Sequence, residues 1–353
     1  MIVDPERVNR FLIVRLGALG DVVHAIPVAA ALRRAFPSAR IDWLVSAKHR
    51  ELLDLVPVID RRLVVNDRSD AAGGASLWAG VGELRRGGYD VALDLQGLIK
   101  SAMLARLSRA TRVIGFSGGY ARERLARLFY TTAFDGGRGG IYHPNETRHV
   151  VDINLALLST IGITSARAEF PIDTADTAAG REASERTRGR FALLNPGAAW
   201  PNKRWPPERL AAVADALLAR HGLMSVVLWG PGEEALARTV VAAAPQAAIL
   251  SPPTTIADIV ALARRAAVMV SGDTGPAHLA SAVGTPLVGI YGPTRPARNG
   301  PLSPRDVTVS RDAVCECHHL RRCRRDRMCL LDVDTAEVID AIDRRLAAEP
   351  VRA

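Results

Sequence analysis

The chain has 353 residues, of which 48% are hydrophobic and 24% charged, and it carries a formal net charge of +9. This length suits two domains, and no apolar run approaches the about 18–20 residues that span a bilayer. The first ten residues carry acids and no apolar core, so the sequence predicts no secretory signal and indicates a cytoplasmic protein. The basic surplus favours anionic partners, among them nucleic acid, nucleotide-sugars and phospholipid headgroups, although ordinary solubility would also account for it.

Short β-branched runs alternate with amphipathic helical stretches along the chain. In the first half, strands are predicted in RFLIVRL, RIDWLVSA, RLVVN, YDVALDLQG and TRVIGF. A second series begins near Phe191, with strands predicted in FALLNPG, SVVLWG, AAVMVSG and PLVGIYG. The alternation predicts an α/β protein with two doubly wound parallel sheets, joined by a polar linker at residues 171–190. Ligands of such a pair are expected in a cleft at the carboxyl edges of the sheets, where the motifs below fall.

The first predicted strand ends in the turn RLGALGD, with Gly17, Gly20 and Asp21. A dinucleotide site would need G-x-G-x-x-G, and a carboxylate at this position would repel pyrophosphate, so the turn argues against NAD or FAD. Two interpretations stay open: Asp21 caps the following helix, or it is a catalytic base at the cleft. Pro27 predicts a kink, or a helix that starts after Asp21.

Three segments of the second half are suited to a nucleotide diphosphate. In SGDTGPAHLASAVGTP, Pro276 opens a helix whose free backbone amides could hold a diphosphate, with a hydrogen bond added by His278. In NPGAAWPNKRWPPERL, Lys203 lies beside a Gly/Ala turn, and in WGPGEEALA either Glu233 or Glu234 could accept from ribose hydroxyls. A capped helix or a solvated loop charge is the simpler alternative at each segment.

Basic residues of the first half could line an anionic acceptor site, or could be ordinary surface charge. They are Lys100 in DLQGLIKS, Arg122 in ARERLARLFY, and the pair Arg61 and Arg62.

The four cysteines, Cys315, Cys317, Cys323 and Cys329, lie within one short segment. Such a local cluster is not a disulfide framework spread over the chain. Its thiolates could hold zinc or iron, could remain reduced as structural residues, or could include a redox-linked pair.

Together, these segments resemble glycosyltransferase family 9, the ADP-heptose:lipopolysaccharide heptosyltransferases. The resemblance covers nearly the whole chain, and the heptosyltransferase I branch is the most similar to the N-terminal half. It is carried by GDVVHAIPVAAALRRAFPSARIDWLV, YDVALDLQGLIKSA, ARERLARLFY, NPGAAWPNKRWP and SGDTGPAHLASAVGTPLVGIYGPTRP. The cysteine segment departs from that branch, which leaves the acceptor open.

The resemblance implies a GT-B fold of two facing Rossmann-like domains. An acceptor domain is expected at residues 1–175, an ADP-sugar domain at 190–333 and a C-terminal helix at 334–353. The implied reaction is an inverting, metal-independent transfer of heptose from ADP-heptose to the lipopolysaccharide inner core, on Kdo-lipid A or a heptosylated acceptor. No catalytic cofactor is expected, and the cysteines could hold a structural zinc or iron. A nucleotide-sugar epimerase or hydrolase on this fold and a non-catalytic lipopolysaccharide-binding protein are the alternatives.

The expected partners are ADP-heptose, an anionic lipopolysaccharide precursor and the inner-leaflet membrane surface, but not nucleic acid. The protein is expected in the cytoplasm, peripheral to the inner membrane.

The resemblance also implies roles for individual residues. Asp21, as the general base, and Lys203, on the donor diphosphate, are the predicted catalytic residues. The predicted donor-binding residues are Gly20, Gly197, Lys203, Glu233, Glu234, Asp273, Thr274, Gly275 and His278. The predicted acceptor-binding residues are Arg61, Arg62, Lys100, Arg122 and His149.

Overall fold

The computed structural model describes residues 8–66, 81–174, 176–315, 318, 320–323 and 326–348. The chain divides into two compact units, Met1–Asp173 and Thr174–Ala353. In the described part of each unit, six parallel strands form one sheet. None of the helices in these ranges has both the length and the apolar character needed to cross a bilayer.

The sheet of the first unit has the strand order β3-β2-β1-β4-β5-β6. Its strands are β1 (Arg10–Val14), β2 (Arg40–Ser46), β3 (Arg61–Val65), β4 (Val91–Asp94), β5 (Arg112–Phe116) and β6 (Thr132–Phe134). The central strands β1 and β4 are buried along nearly their whole length, as apolar strands covered by helices on both faces should be.

Short helices connect these strands. They are α1 (Leu19–Val23), α2 (Ile26–Ala35), α3 (Arg50–Asp54), α4 (Ile99–Leu107) and α5 (Val150–Ala156), together with the helical residues 81–86. Pro27 is in the first turn of α2, where a missing N–H removes no helical hydrogen bond. The helix that contains Pro27 therefore does start after Asp21, and Asp21 itself lies in the separate helix α1.

The second unit repeats this topology, with the strand order β12-β11-β10-β7-β8-β9. Its strands are β7 (Phe191–Asn195), β8 (Met224–Val227), β9 (Ala248–Leu250), β10 (Ala266–Gly272), β11 (Leu287–Tyr291) and β12 (Val307–Ser310). Its helices are α6 (Ala178–Arg186), α7 (Pro207–His221), α8 (Glu234–Ala243), α9 (Ile256–Arg265), α10 (Gly275–Ala282), α11 (Pro296–Asn299) and α12 (Thr335–Ala347). The prediction of an α/β protein with two doubly wound parallel sheets is confirmed.

Both sheets reverse their winding between their first and fourth strands, β1 and β4 in one unit and β7 and β10 in the other. The loops after the carboxyl ends of these strands flank the crevice in which doubly wound sheets bind ligands. Asp21 follows β1, and Asp273 directly follows β10. Each unit therefore presents its acidic motif at its own switch point.

The segment predicted as a linker contains helix α6. Its polarity comes from an exposed face, while Ala179, Gly180 and Ala183 are buried. The helix packs against α9, and Asp176, just before it, pairs with Arg265 of α9 at 2.6 Å. The linker prediction is therefore wrong over α6, because a short amphipathic helix with few apolar residues resembles a loop in sequence.

Candidate active site

Asp21 occupies the first turn of α1 and is held by two arginines. Its Oδ1 pairs with a guanidinium nitrogen of Arg15 at 2.7 Å, and its Oδ2 pairs with Arg122 at 2.9 Å. The backbone N–H of Ala18 also donates to Oδ2, at 3.2 Å. Both carboxylate oxygens thus already have charged partners, which fixes the orientation of the group.

Burial and charge act in opposite directions on the Asp21 carboxyl group. Burial favours the neutral form, but the positive charges of Arg15 and Arg122 outweigh it and hold the pKa of Asp21 well below its ordinary value. The carboxylate is therefore ionised at neutral pH. While both arginines stay paired with it, it is also a weak base.

Arg15 is a residue that the sequence interpretation missed. It immediately follows β1, only 4% of its side chain is exposed, and it also donates to the carbonyl of Leu95 after β4. A buried guanidinium needs an anionic partner. An arginine at the end of an otherwise apolar strand was the available signal, and it indicated a buried acid nearby.

Arg122 lies 101 residues from Asp21 in sequence, and a tight turn places it. Gly97, after β4, has a φ of +69°, and a Cβ atom there would lie 3.1 Å from the backbone nitrogen of Arg122. Glu123, which follows Arg122, donates its backbone N–H to the Gly97 carbonyl at 2.9 Å. Its carboxylate accepts from the N–H of Ile99 at 2.6 Å. The Arg122 segment is thus fixed to the start of α4.

Two further predicted acceptor residues, Lys100 and His149, lie in elements near the carboxyl edge of the first sheet. Lys100 is in the first turn of α4, which follows β4. His149 caps α5, its Nδ1 accepting from the N–H of Val151 at 3.2 Å, and its ring meets that of His24 edge-on at 5.2 Å between centroids. His24 directly follows α1 and is one of the charges that act on Asp21. His149 is thereby linked to the Asp21 helix through His24.

Arg61 and Arg62 lie elsewhere. They are the first two residues of β3, at its amino end, whereas Asp21 follows the carboxyl end of the parallel strand β1. Arg61 pairs with Glu83, and Arg62 pairs with Asp54 at 2.8 Å. The structure therefore corrects the prediction that these two arginines join Asp21 in an acceptor site. A residue at the start of a parallel strand lies at the amino edge of the sheet, opposite the edge where the carboxyl ends of the strands meet.

In the second unit, the buried residues Asp273 and His278 form a triad with the partly buried Lys203. The Nζ of Lys203 lies 2.6 Å from Oδ2 of Asp273, and Nε2 of His278 lies 2.9 Å from Oδ1. Burial disfavours the charged carboxylate, but the bond from His278 and the charges of His278 and Lys203 lower the pKa of Asp273 below its ordinary value. The lysine ammonium also stacks on the Trp200 ring, 4.5 Å from its centroid.

The triad lies at the N-terminus of α10. Thr274 caps this helix, its hydroxyl accepting from the N–H of Ala277, and Gly275 and Pro276 form the first turn. Gly272, the last residue of β10, allows the loop between β7 and α7 to approach this strand closely. A Cβ atom at Gly272 would lie 2.9 Å from the Lys203 carbonyl oxygen. A cation, a histidine and the positive end of a helix dipole therefore meet at one point, as in anion sites of proteins.

Asn195 is a second residue that the sequence interpretation missed. At the end of β7, its Nδ2 donates to the hydroxyls of Ser271 and Thr274 at 3.1 and 3.0 Å. It thereby ties the end of β7 to the cap of α10 across the switch point. An asparagine at the end of a buried strand was the signal, but only strand pairing shows its partner.

The structure separates the two candidate ribose acids. The Glu233 carboxylate turns towards Gly197 after β7, where any Cβ atom would collide with it, and lies 3.8 Å from Arg204. Glu234 turns away and pairs with Arg238, one turn later on the exposed face of α8, at 2.5 Å. Glu233 is therefore the acid that shares the switch-point region with Gly197.

Of the remaining predicted donor residues, Gly20 is buried in α1, in the first unit, unlike the others.

Three of the cysteines, Cys315, Cys323 and Cys329, pack together. Cys317 lies outside the described residues. Within the part of the chain that the structure describes, no three histidine, cysteine or acidic residues are arranged to hold a metal ion. Zinc or iron binding at this segment stays a prediction.

The chain is similar to known proteins over most of its length. The sequence profile of glycosyltransferase family 9 (heptosyltransferase) matches residues 78–328, more than half of the chain. The lipopolysaccharide heptosyltransferase 1 of Pseudomonas aeruginosa is 29% identical over 317 residues, which cover 87% of this chain and 85% of that protein.

Solved structures share the fold. The crystal structure of a family 9 glycosyl transferase from Veillonella parvula matches with a TM-score of 0.81 and 24% identity over 99% of both chains. The E. coli heptosyltransferase WaaC with ADP-2-deoxy-2-fluoro heptose matches with a TM-score of 0.72 and 24% identity, covering 95% of this chain and 99% of that one.

Proposed function

Because the chain belongs to glycosyltransferase family 9, the heptosyltransferases, we propose that it transfers heptose from ADP-heptose to the inner core of lipopolysaccharide. The acceptor is Kdo-lipid A or a heptosylated form of it. The relative from Pseudomonas aeruginosa, named a lipopolysaccharide heptosyltransferase, supports the acceptor class. The WaaC structure with a fluorinated ADP-heptose supports the donor. The observation that carries the mechanism is the pair of switch-point acids, Asp21 and Asp273, each held by cations.

In the proposed reaction Asp21 is the general base. An acceptor hydroxyl attacks the anomeric carbon of the heptose, the bond from that carbon to the diphosphate oxygen breaks, and Asp21 takes the hydroxyl proton. A single displacement of this kind inverts the anomeric configuration. The attacking oxygen becomes strongly acidic as its new bond forms, so a weak carboxylate base suffices if the proton moves late.

Arg122 connects acceptor binding to the strength of this base. An anionic acceptor would compete with Asp21 for the Arg122 guanidinium, together with Lys100 on α4. Loss of the pair with Arg122 would raise the pKa of Asp21, since one of the cations that lower it would be withdrawn. The base would then be strongest when the acceptor is bound.

The second unit stabilises the leaving ADP in this proposal. Lys203, His278 and the positive end of the α10 dipole would bind the diphosphate and neutralise the charge that develops on it. Asp273 holds Lys203 and His278 in position, and Glu233 would accept from the ribose hydroxyls. Since these groups supply the positive charge, the proposed transfer needs no metal ion, and a zinc or iron at the cysteines would be structural.

We also propose that the protein works at the cytoplasmic face of the inner membrane, where a lipid acceptor would lie, and that nucleic acid is not a partner. The basic surplus suits anionic lipid headgroups.

Product analysis tests the function. The protein is incubated with ADP-heptose and a panel of Kdo-lipid A and heptosylated acceptors, and products are identified by mass and by the anomeric configuration of the new linkage. We expect one heptose added to one acceptor class, with inversion, and unchanged rates in the presence of EDTA. Consumption of ADP-heptose without any acceptor product would instead favour a hydrolase or epimerase.

The two glutamates at α8 should respond differently to the same change. Glu233→Gln should raise the KM for ADP-heptose about tenfold or more, because a charged hydrogen-bond acceptor near the ribose is lost. Glu234→Gln should leave the KM unchanged, since that side chain pairs with Arg238 on the exposed face. Steady-state kinetics with varied donor measure both. An equal effect of the two substitutions would contradict the assignment of Glu233.

The pH dependence should report the Arg122–Asp21 pair. The reaction needs ionised Asp21, whose pKa lies well below its ordinary value of 3.8, so kcat/KM should show no acid limb from this group between about pH 8 and pH 5. Arg122→Gln removes a cation and raises that pKa, so the acid limb should move to higher pH. Arg124→Gln, a neighbouring exposed arginine, is the control and should leave the profile unchanged on a water-soluble acceptor. An identical acid limb in wild type and Arg122→Gln would contradict the pairing.

A further inference from the structure

A short 3₁₀ helix, Arg124–Phe129, follows Arg122 and has three chemically different faces. A 3₁₀ helix has three residues per turn, so side chains three positions apart lie on the same face. Ala126 is fully buried and Phe129 partly buried, which makes theirs the inner face. Leu125 and Leu128 form a second face and Arg124 and Arg127 a third; these four residues are called the Leu–Arg ridge.

The two leucines are unusually exposed. Leu128 is 77% and Leu125 is 61% exposed, the highest values among the large hydrophobic side chains of the described residues. Single exposed leucines are common on protein surfaces, but two on one face of a six-residue element form a local apolar projection.

The arginines beside them form the cationic face of the ridge. Both Arg124 and Arg127 are exposed, and neither guanidinium forms an ion pair within the ranges that the structure describes. An apolar edge beside exposed cations matches the interface of an anionic lipid layer, where leucine enters the acyl region and arginine reaches the headgroup phosphates.

The ridge is firmly attached and adjoins the proposed acceptor site. Glu123, before it, is bonded to Gly97 and Ile99 at the start of α4. Tyr130, after it, donates its hydroxyl to the buried carboxylate of Asp94 at 2.7 Å. Arg122, two residues before the first ridge residue, holds Asp21. A surface bound by the ridge would therefore lie beside the candidate base.

From this geometry we propose that the Leu–Arg ridge docks the protein on the surface of an anionic phospholipid bilayer. The inference rests on the proposed function for its purpose, which is to deliver a lipid-anchored acceptor to Asp21. Its physical basis, apolar and cationic faces on an anchored helix, is independent of the reaction.

Vesicle co-sedimentation without substrates tests the proposal. The protein is mixed with phosphatidylethanolamine–phosphatidylglycerol vesicles or with phosphatidylcholine vesicles, at low and high salt. We expect binding to the anionic vesicles that weakens with salt. The double variants Leu125→Ser/Leu128→Ser and Arg124→Gln/Arg127→Gln should each bind about tenfold to thirtyfold more weakly. Val314→Ser, which changes an exposed apolar residue of the second unit, is the matched control and should bind like the wild type.

Activity gives a second readout. Both double variants should act normally on a water-soluble, deacylated acceptor and poorly on the same acceptor embedded in vesicles. Equal vesicle binding by wild type and variants would overturn the proposal, as would binding only when vesicles contain the acceptor. A changed oligomeric state in the leucine variant would assign the ridge to self-association instead. Vesicle binding without any transferase activity would refute the proposed function and leave the docking surface standing.

Discussion

Asp21→Asn should reduce kcat by about a thousandfold or more, the contribution of a well-placed general base. Asparagine has nearly the same shape but cannot take the proton of the acceptor hydroxyl. Donor binding should persist, because the residues proposed to hold ADP-heptose belong to the second unit. The measurements are kcat with saturating substrates and ADP affinity by calorimetry.

Two variants separate catalysis from folding. Asp21→Asn leaves the buried Arg15 without its carboxylate, which can lower stability by several kcal/mol, so thermal unfolding is measured beside activity. Asp21→Glu keeps the charge but displaces the carboxylate, and it should also lose most activity while remaining folded. Asp152→Asn, the same change at an exposed first-turn acid of α5, is the control and should be neutral. A folded Asp21→Asn protein within tenfold of wild-type kcat would contradict the base assignment.

The second large effect is expected at Lys203. Lys203→Met keeps the aliphatic stem and removes the ammonium, so kcat/KM for ADP-heptose should fall about 10²- to 10³-fold and ADP affinity should fall with it. The KM for the acceptor should not change. Calorimetry with ADP and steady-state kinetics with each substrate varied distinguish these effects.

The controls at Lys203 address charge and stability. Lys203→Arg restores a cation and should recover part of the ADP affinity. Arg238→Met removes an exposed cation of α8 and should leave donor kinetics unchanged. Lys203→Met leaves Asp273 paired with His278 alone, so its thermal unfolding is measured as well. Wild-type ADP affinity in a folded Lys203→Met protein would contradict the proposed diphosphate role.

The signals of the fold are mostly local in sequence. Apolar runs such as FLIV and VMV are long enough to define the central strands, and the glycine turns after them mark their carboxyl ends. Parallel strands collect those ends at one edge. The sequence alone therefore placed Asp21 and Asp273 at the carboxyl edge of each sheet. The edge strands β6, β9 and β12 escaped detection because three or four residues carry too little pattern.

Tertiary structure decided which charges meet. Arg122 pairs with Asp21 although the two residues are 101 positions apart, and no local sequence pattern predicts a contact between residues so distant in the chain. Strand register places Arg61 and Arg62 at the amino edge of the sheet. In the sequence they could not be distinguished from Arg122, because all three carry the same side chain.

Side-chain direction separated residues that are neighbours in sequence. Glu233 and Glu234 are adjacent acids, yet one turns to the switch point and the other to Arg238 on the exposed face. Leu125 and Leu128 would fit a buried helix equally well, and only packing shows that Ala126 takes the inner face. Strand and turn propensities act over a few residues and are written in sequence. Ion pairs and exposed faces depend on contacts between distant segments, so they exist only once the chain is folded.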